Sequence, residues 1–142
     1  MARVKAGPKK NARNVRALVI DDNEKLAAAV EKFLRTEMFF SDVIISGNGR
    51  AAWDLIMEDE APFELIICGW TMPGMEGTEI LEAIRDLGRD VPFILTGGVN
   101  NMRSAVDAKS LGASAYLPKP FKPQQLRDKV VALLGSGTYS ST

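Results

Sequence analysis

Histidine is absent from all 142 residues. Without an imidazole there is no Ser-His-Asp or Cys-His catalysis and none of the usual zinc sites. Any metal must be a hard cation held by oxygen. Cysteine occurs once, at Cys68. One thiol cannot close an internal disulfide, which fits a reducing, cytoplasmic setting. Its place in an apolar run makes Cys68 a small core residue rather than a redox sensor. No apolar run approaches the roughly 18 residues of a membrane-spanning helix, and the N-terminus lacks the apolar stretch of a secretory signal. No phosphate-cradling glycine-rich loop follows the first apolar run. Asp21 and Asp22 stand there instead and would repel phosphate.

What is present is ordinary globular composition, 46% hydrophobic and 25% charged, in a length that suits one domain with one good core. The formal charge is zero but unevenly placed. Residues 1–16 carry Arg3, Lys5, Lys9, Lys10, Arg13 and Arg16 with no acid, leaving 12 basic and 18 acidic residues in the remainder. A basic arm on an acidic body is a candidate nucleic-acid or membrane tail. This arm has no aromatic to stack on bases and no apolar face to enter a bilayer, which argues against both partners. It reads as a flexible, solubilising leader over residues 1–14, broken by Gly7-Pro8. An ordered domain is expected over 15–134 and a disordered tail over 135–142.

Along that domain, short apolar runs alternate with helix-period segments. Ala17-Leu18-Val19-Ile20 reads as a strand covered on both faces. A helix follows, with Leu26, Val30, Phe33 and Leu34 at helical spacing and Asp22 or Asn23 as N-cap. Strand 42–46 precedes a helix carrying Ala52, Trp53, Leu55 and Ile56. Leu65 to Cys68 stops at Gly69 and opens a turn-rich segment with Pro73, Gly74 and Gly77. The third helix begins at Gly77 or Thr78, buries Ile80, Leu81, Ile84 and Leu87, and ends at Gly88. Strand 91–96 is broken by Gly97-Gly98. A fourth helix, about 101–111, offers only the weak stripe Met102, Ala105, Val106 and Lys109. Strand 115–117 leads to Pro118-Lys119-Pro120, and Pro123 suits the first turn of a last helix with Leu126, Val130, Leu133 and Leu134 inward. Five strands alternating with five helices argue an α/β fold: a parallel sheet with helices on both faces and right-handed crossovers.

In such a sheet the C-terminal strand ends share one edge. Asp21 and Asp22, Gly69, Thr96 and Lys119 are therefore brought to one pocket. Adjacent carboxylates, a hydroxyl and an ammonium are the groups that bind Mg²⁺ and an anionic phosphoryl oxygen. Each is weak evidence alone. Their order and placement together carry the weight.

The stretch from Phe63 to Gly77 resembles the central motif of bacterial two-component response-regulator receiver domains: an apolar strand, Asp, two residues, Met-Pro, then x-Met-Asp/Glu-Gly. The resemblance extends over about residues 15–134. Trp70-Thr71-Met72-Pro73 is most similar to stand-alone, chemotaxis-type regulators. The resemblance implies a flavodoxin-like doubly wound (βα)5 fold with strand order 2-1-3-4-5. It also implies a role in phosphorelay signal transduction, with a histidine kinase or phosphotransfer protein and a downstream target protein as partners. By it, Asp21 and Asp22 match the acidic metal pair and Thr71 offers its backbone carbonyl to Mg²⁺. Thr96 and Tyr116 match the switch pair, and Lys119-Pro120 matches a Lys-Pro pair whose peptide is typically cis. The family's output face, around the fourth helix, fifth strand and fifth helix, would include Lys109, Tyr116 and Lys122.

The departure is Gly69, at the position of the phospho-acceptor Asp. Glycine has no side-chain oxygen, so no acyl phosphate forms there. The acids Asp22, Glu64 and Glu76 offer no clear substitute, Glu76 being placed in the loop beyond. With two carboxylates in place of three, Mg²⁺ binding is expected to be weak or absent. The chain is then an isolated or deliberate substitution in an ordinary receiver, a phosphorylation-independent receiver, or a relic. A non-enzymatic signalling module is the first reading. A flavodoxin-like enzyme or a nucleic-acid-binding protein using the arm stand as alternatives. Oligomeric state is not readable.

Overall fold

A computed structural model describes residues 15–58, 62–98 and 102–135, with side chains at 102 and 103 left out. The basic arm (1–14) and residues 136–142 of the expected tail lie outside the described residues. The elements run β1 (Arg16–Ile20), α1 (Glu24–Thr36), β2 (Asp42–Ser46), α2 (Gly49–Glu58), β3 (Leu65–Gly69), α3 (Gly77–Asp86), β4 (Phe93–Thr96), α4 (Met102–Ser110), β5 (Ala115–Leu117) and α5 (Pro123–Leu134). All pairings are parallel, in the order β2-β1-β3-β4-β5. The expected α/β architecture and strand order are both present.

The period-2 alternation of the strands divides two cores. Ala17, Val19, Leu65, Ile67, Ile94 and Leu117 face α1 and α5, where Val30, Leu34, Leu126 and Val130 complete one cluster. Leu18, Ile20, Ile66, Cys68, Phe93 and Leu95 face the other side with Ala52, Ile56, Ile80, Leu81 and Ile84. A side chain of this size fully removed from water contributes about 1.5–3 kcal/mol. Both faces of the central strands are thus needed, which is why they read as unbroken apolar runs.

Local signals set the helix ends. The Asn23 side chain accepts from the Leu26 amide at 3.1 Å, so Asn23 rather than Asp22 is the α1 N-cap. Gly88, at φ +79°, closes α3 by donating to the Arg85 carbonyl. Pro123 occupies the first turn of α5.

Three expectations are corrected. Leu87 is half exposed, because it is the C-cap of α3 and lies past the inward turn. β4 begins at Phe93; Pro92 has no N–H and joins only through its carbonyl, which accepts from Ile66 at 2.9 Å. The face of α4 is rotated: Ser104 and Ala108 are buried, whereas Ala105, Val106 and Lys109 are exposed. The small side chains turn inward and let the helix approach the sheet closely, leaving the larger Val106 in solvent. The Met102 side chain lies outside the described residues.

Candidate functional site

The reversal of strand order between β1 and β3 is where an open α/β sheet leaves a crevice beyond its strand ends. Ile20 of β1 pairs in register with Cys68 of β3, so Asp21 and Gly69, the next residues on each strand, stand side by side. Gly69 in turn pairs with Thr96 of β4, and Thr96 with Leu117 of β5. Lys119 is reached two residues later. Sequence-distant polar groups are thereby gathered on one edge by register alone.

Asp21 is 6% exposed, and its carboxylate is engaged at both oxygens. Oδ1 accepts from the Asn23 amide at 2.8 Å. Oδ2 lies 2.8 Å from Lys119 Nζ. A carboxylate this buried requires such partners. The Lys119 stem runs past Gly97, where a Cβ would meet its Cδ at 3.5 Å. The Lys119–Pro120 peptide is cis. Asp22 and Thr71 are exposed at the rim.

Gly69 is buried, with its backbone outside the left-handed region. A Cβ built on it would meet Met72 Sδ at 3.3 Å, the Ile20 carbonyl oxygen at 3.7 Å and Asp21 Oδ2 at 3.8 Å. A side chain at 69 would therefore project straight at the Asp21–Lys119 pair, with only a flexible thioether to move. The backbone does not demand glycine here, and the nearest obstacle to a Cβ is the end of the Met72 side chain.

Thr96 is buried and its hydroxyl donates to the Cys68 carbonyl at 3.4 Å. The Tyr116 hydroxyl donates to the Gly97 carbonyl at 2.6 Å, and its ring meets Trp70 edge-on with centroids 5.8 Å apart. Trp70 lies against Gly98, whose φ of +72° favours glycine and where an added Cβ would crowd the indole at 3.0 Å. Burial first, then the Asp21 carboxylate, push the Cys68 thiol far up against the opposing pull of Lys119; it remains a protonated core group.

Two residues acquire roles that the sequence reading missed. Glu76, expected in a free loop, is the N-cap residue of α3. Its carboxylate accepts from the Met72 amide at 2.9 Å, and its own amide donates to Glu79 at 2.9 Å. The acid pair three residues apart at a helix start was the available signal. Met72 is buried and fills the space before Gly69. Met-Pro in a turn gave no such cue.

Among the described residues no three acidic, cysteine or histidine side chains converge. Asp21, the one buried carboxylate among the described residues, already has Lys119 as its counter-ion at 2.8 Å, and this ammonium competes with an arriving cation.

Comparison with known proteins agrees with this architecture. The family model described as "Response regulator receiver domain" matches residues 17–131. A "Chemotaxis protein CheY homolog" of Campylobacter jejuni is 30% identical over 126 residues, covering 87% of this chain and 95% of that protein. "Chemotaxis protein CheY1" of Helicobacter pylori is 27% identical over 124 residues, 86% and 98% of the two chains. Among solved structures, a CheY-like receiver domain protein from Methanospirillum hungatei superposes with a TM-score of 0.71 at 28% identity, covering 84% of this chain and 93% of its own. Strand order, family match and relatives converge: this chain belongs to the response regulator receiver domain family, the CheY-like signalling modules of two-component systems.

Proposed function

We propose that this chain is a receiver that signals by protein docking and is not phosphorylated at residue 69. The observation that carries the reading is the geometry at the end of β3. A side chain there would face Asp21 Oδ2 and Lys119, and the residue present is a glycine with no oxygen to offer. In a receiver, phosphorylation biases an equilibrium between two conformations. Here that bias is supplied by the sequence itself or by a bound partner. Histidine kinases or phosphotransfer proteins and downstream targets are the partner classes, and the exposed Lys109 and Lys122, with the half-buried Tyr116, form the proposed contact surface.

Receiver domains generally bind Mg²⁺ at the acceptor site. In this chain Asp21, Asp22 and the Thr71 carbonyl remain as oxygen donors. The Asp21–Lys119 pair supports a pocket neutralised from within, and so a protein largely indifferent to Mg²⁺.

The test is intact-mass measurement after incubation with acetyl phosphate and Mg²⁺, for this protein and for Gly69→Asp. The expected result is one phosphoryl group on Gly69→Asp and none on the parent. Modification of the parent would show that another side chain has taken over the chemistry and would overturn the proposal. Reaction by neither protein would mean that the pocket has decayed beyond residue 69.

A further inference from the structure

Charge in this chain is sorted by position. Residues 49–90, which span α2, β3 and α3, hold ten acidic and three basic residues, whereas 91–135 hold two acidic and six basic. Residues 1–14 hold five basic residues and no acid. On the acidic side a cleft of about 300 Å³ opens between the ends of α2 and α3, at the start of β3. Ile56, Phe63, Ile66, Ile84 and Val91 give it apolar walls, with Arg89 and Asp90 also lining it. Glu58 and Asp86, the exposed last residues of α2 and α3, stand two positions beyond Ile56 and Ile84. The Arg16 guanidinium stacks over the Phe63 ring at 4.2 Å, so the chain enters β1 beside one wall of this cleft.

We propose that residues 1–14 dock back onto this α2–α3 cleft, making it an intramolecular binding surface for the chain's own basic arm. Three observations choose this occupant. The arm's charges are all positive, and residues 49–90 carry the largest net negative charge, ten acidic against three basic, compared with six against four over 15–48 and a net positive charge over 91–135. Its attachment at Val15 and Arg16 adjoins Phe63, so little chain is spent in reaching the cleft. Val4, between Arg3 and Lys5, is an apolar side chain with cations on both sides; the cleft offers it the partly exposed Val91 beside buried walls, and its rim carries Glu58, Asp86 and Asp90 together with Arg16 and Arg89. The eleven-residue separation of Val4 from Val15 allows a reach of up to about 36 Å at roughly 3.3 Å per residue. A tethered ligand needs only weak intrinsic affinity, because the tether holds it at high local concentration. Nothing in this docking depends on Gly69, so it holds or fails apart from the phosphorylation reading.

The experiment uses the full chain carrying Ala6→Cys with a nitroxide label. Cys68 is buried and protonated, so the label goes to residue 6. In about 20 mM salt, where the screening length is about 20 Å, paramagnetic broadening is expected at the amides of Ile56, Phe63, Ile84 and Asp90. It should exceed that at Arg127 and Lys129 of α5 by about fivefold or more. About 0.5 M salt should abolish the excess. Asp86→Lys with Asp90→Lys, or separately Val4→Asp, which alters only the arm, should reduce it severalfold. Uniform broadening, or a maximum on α4 or α5, would overturn the proposal. So would equal broadening of isotope-labelled chains by labelled arms of other chains in a mixed sample, which would place a second copy's arm in the cleft.

Discussion

Gly69 and Gly77 flank the same loop and are held there for different physical reasons. Gly77 opens α3 directly against the end of β3. Its amide donates to the Trp70 carbonyl at 3.0 Å, and a Cβ on it would overlap the Gly69 carbonyl oxygen and crowd Cys68 Sγ at 3.1 Å. Gly69 has a backbone that any residue adopts, and its nearest obstacle is the thioether end of Met72. One glycine lets a helix approach a strand. The other stands where a side chain would meet only the end of a thioether. Composition treats them alike, whereas the space around a missing Cβ separates them.

The largest expected effect breaks the Gly77 side of this contrast. Gly77→Ala forces backbone apart where β3, the loop and α3 meet, and overpacking of this kind costs about 3 kcal/mol. The fall in urea midpoint, with unchanged slope, measures it. A loss under about 1 kcal/mol would mean that α3 can slide off the strand end, and the contrast would then disappear.

Next in size is Gly69→Asp. Its carboxylate would enter beside Asp21, whose Oδ2 lies 3.8 Å from the Cβ position. Two like charges near 4 Å repel by up to about 4 kcal/mol at an effective dielectric near 20; Lys119, already paired to Asp21, offsets part of this. In chelator Gly69→Asp is expected to melt below the parent by an amount equivalent to about 1–2 kcal/mol, and Mg²⁺ should raise only the variant. An equal or higher melting temperature in chelator would contradict the argument that Gly69 relieves repulsion.

How much of this was legible without coordinates differs between fold and pocket. The alternation of apolar runs with helix-period segments is a local signal, and it placed every strand of the sheet to within two residues at each end. The gathering of Asp21, Gly69, Thr96 and Lys119 followed from strand ends sharing one edge. What failed to show was any feature that depends on distance between elements. α4 buries Ser104 and Ala108 because small residues permit close approach, whereas a reading by hydrophobicity chose Val106, which is 55% exposed. Lys119 pairing with Asp21 rather than pointing to solvent, and Met72 turning in toward Gly69, are tertiary choices with no sequence period. Glu76 was legible in principle, since Glu79 stands three residues on as in a capping box.

Cys68, which touches both halves of the comparison, gives a pH-dependent effect. Its thiol is raised above the ordinary value of 9.0 in the folded chain. The folded state therefore keeps its proton where the unfolded state loses it. The resulting stability is complete below the unfolded value and falls as pH rises past it, by about 1.4 kcal/mol per unit. Unfolding measured at about pH 8 and pH 10 should show this loss in the parent and not in Cys68→Ala. An identical slope in both proteins would mean that the thiol titrates freely, and so that the β3 end is open to water.

The smallest effect sharpens the contrast most directly. Gly69→Ala adds one methyl at a position that permits it sterically and conformationally, provided Met72 Sδ moves a few tenths of an ångström. Against that adjustment stands the entropy that glycine loses on folding, which favours alanine by about 0.5–1 kcal/mol in regular structure. The two nearly cancel, and a change within about 0.5 kcal/mol, of either sign, is expected. Neutral alanine at 69 beside damaging alanine at 77 would show that the fold needs only the second glycine. Packing would then not account for the glycine at 69. A loss at Gly69→Ala comparable to that at Gly77→Ala would instead make Gly69 a packing residue, with Met72 as the rigid element that requires it.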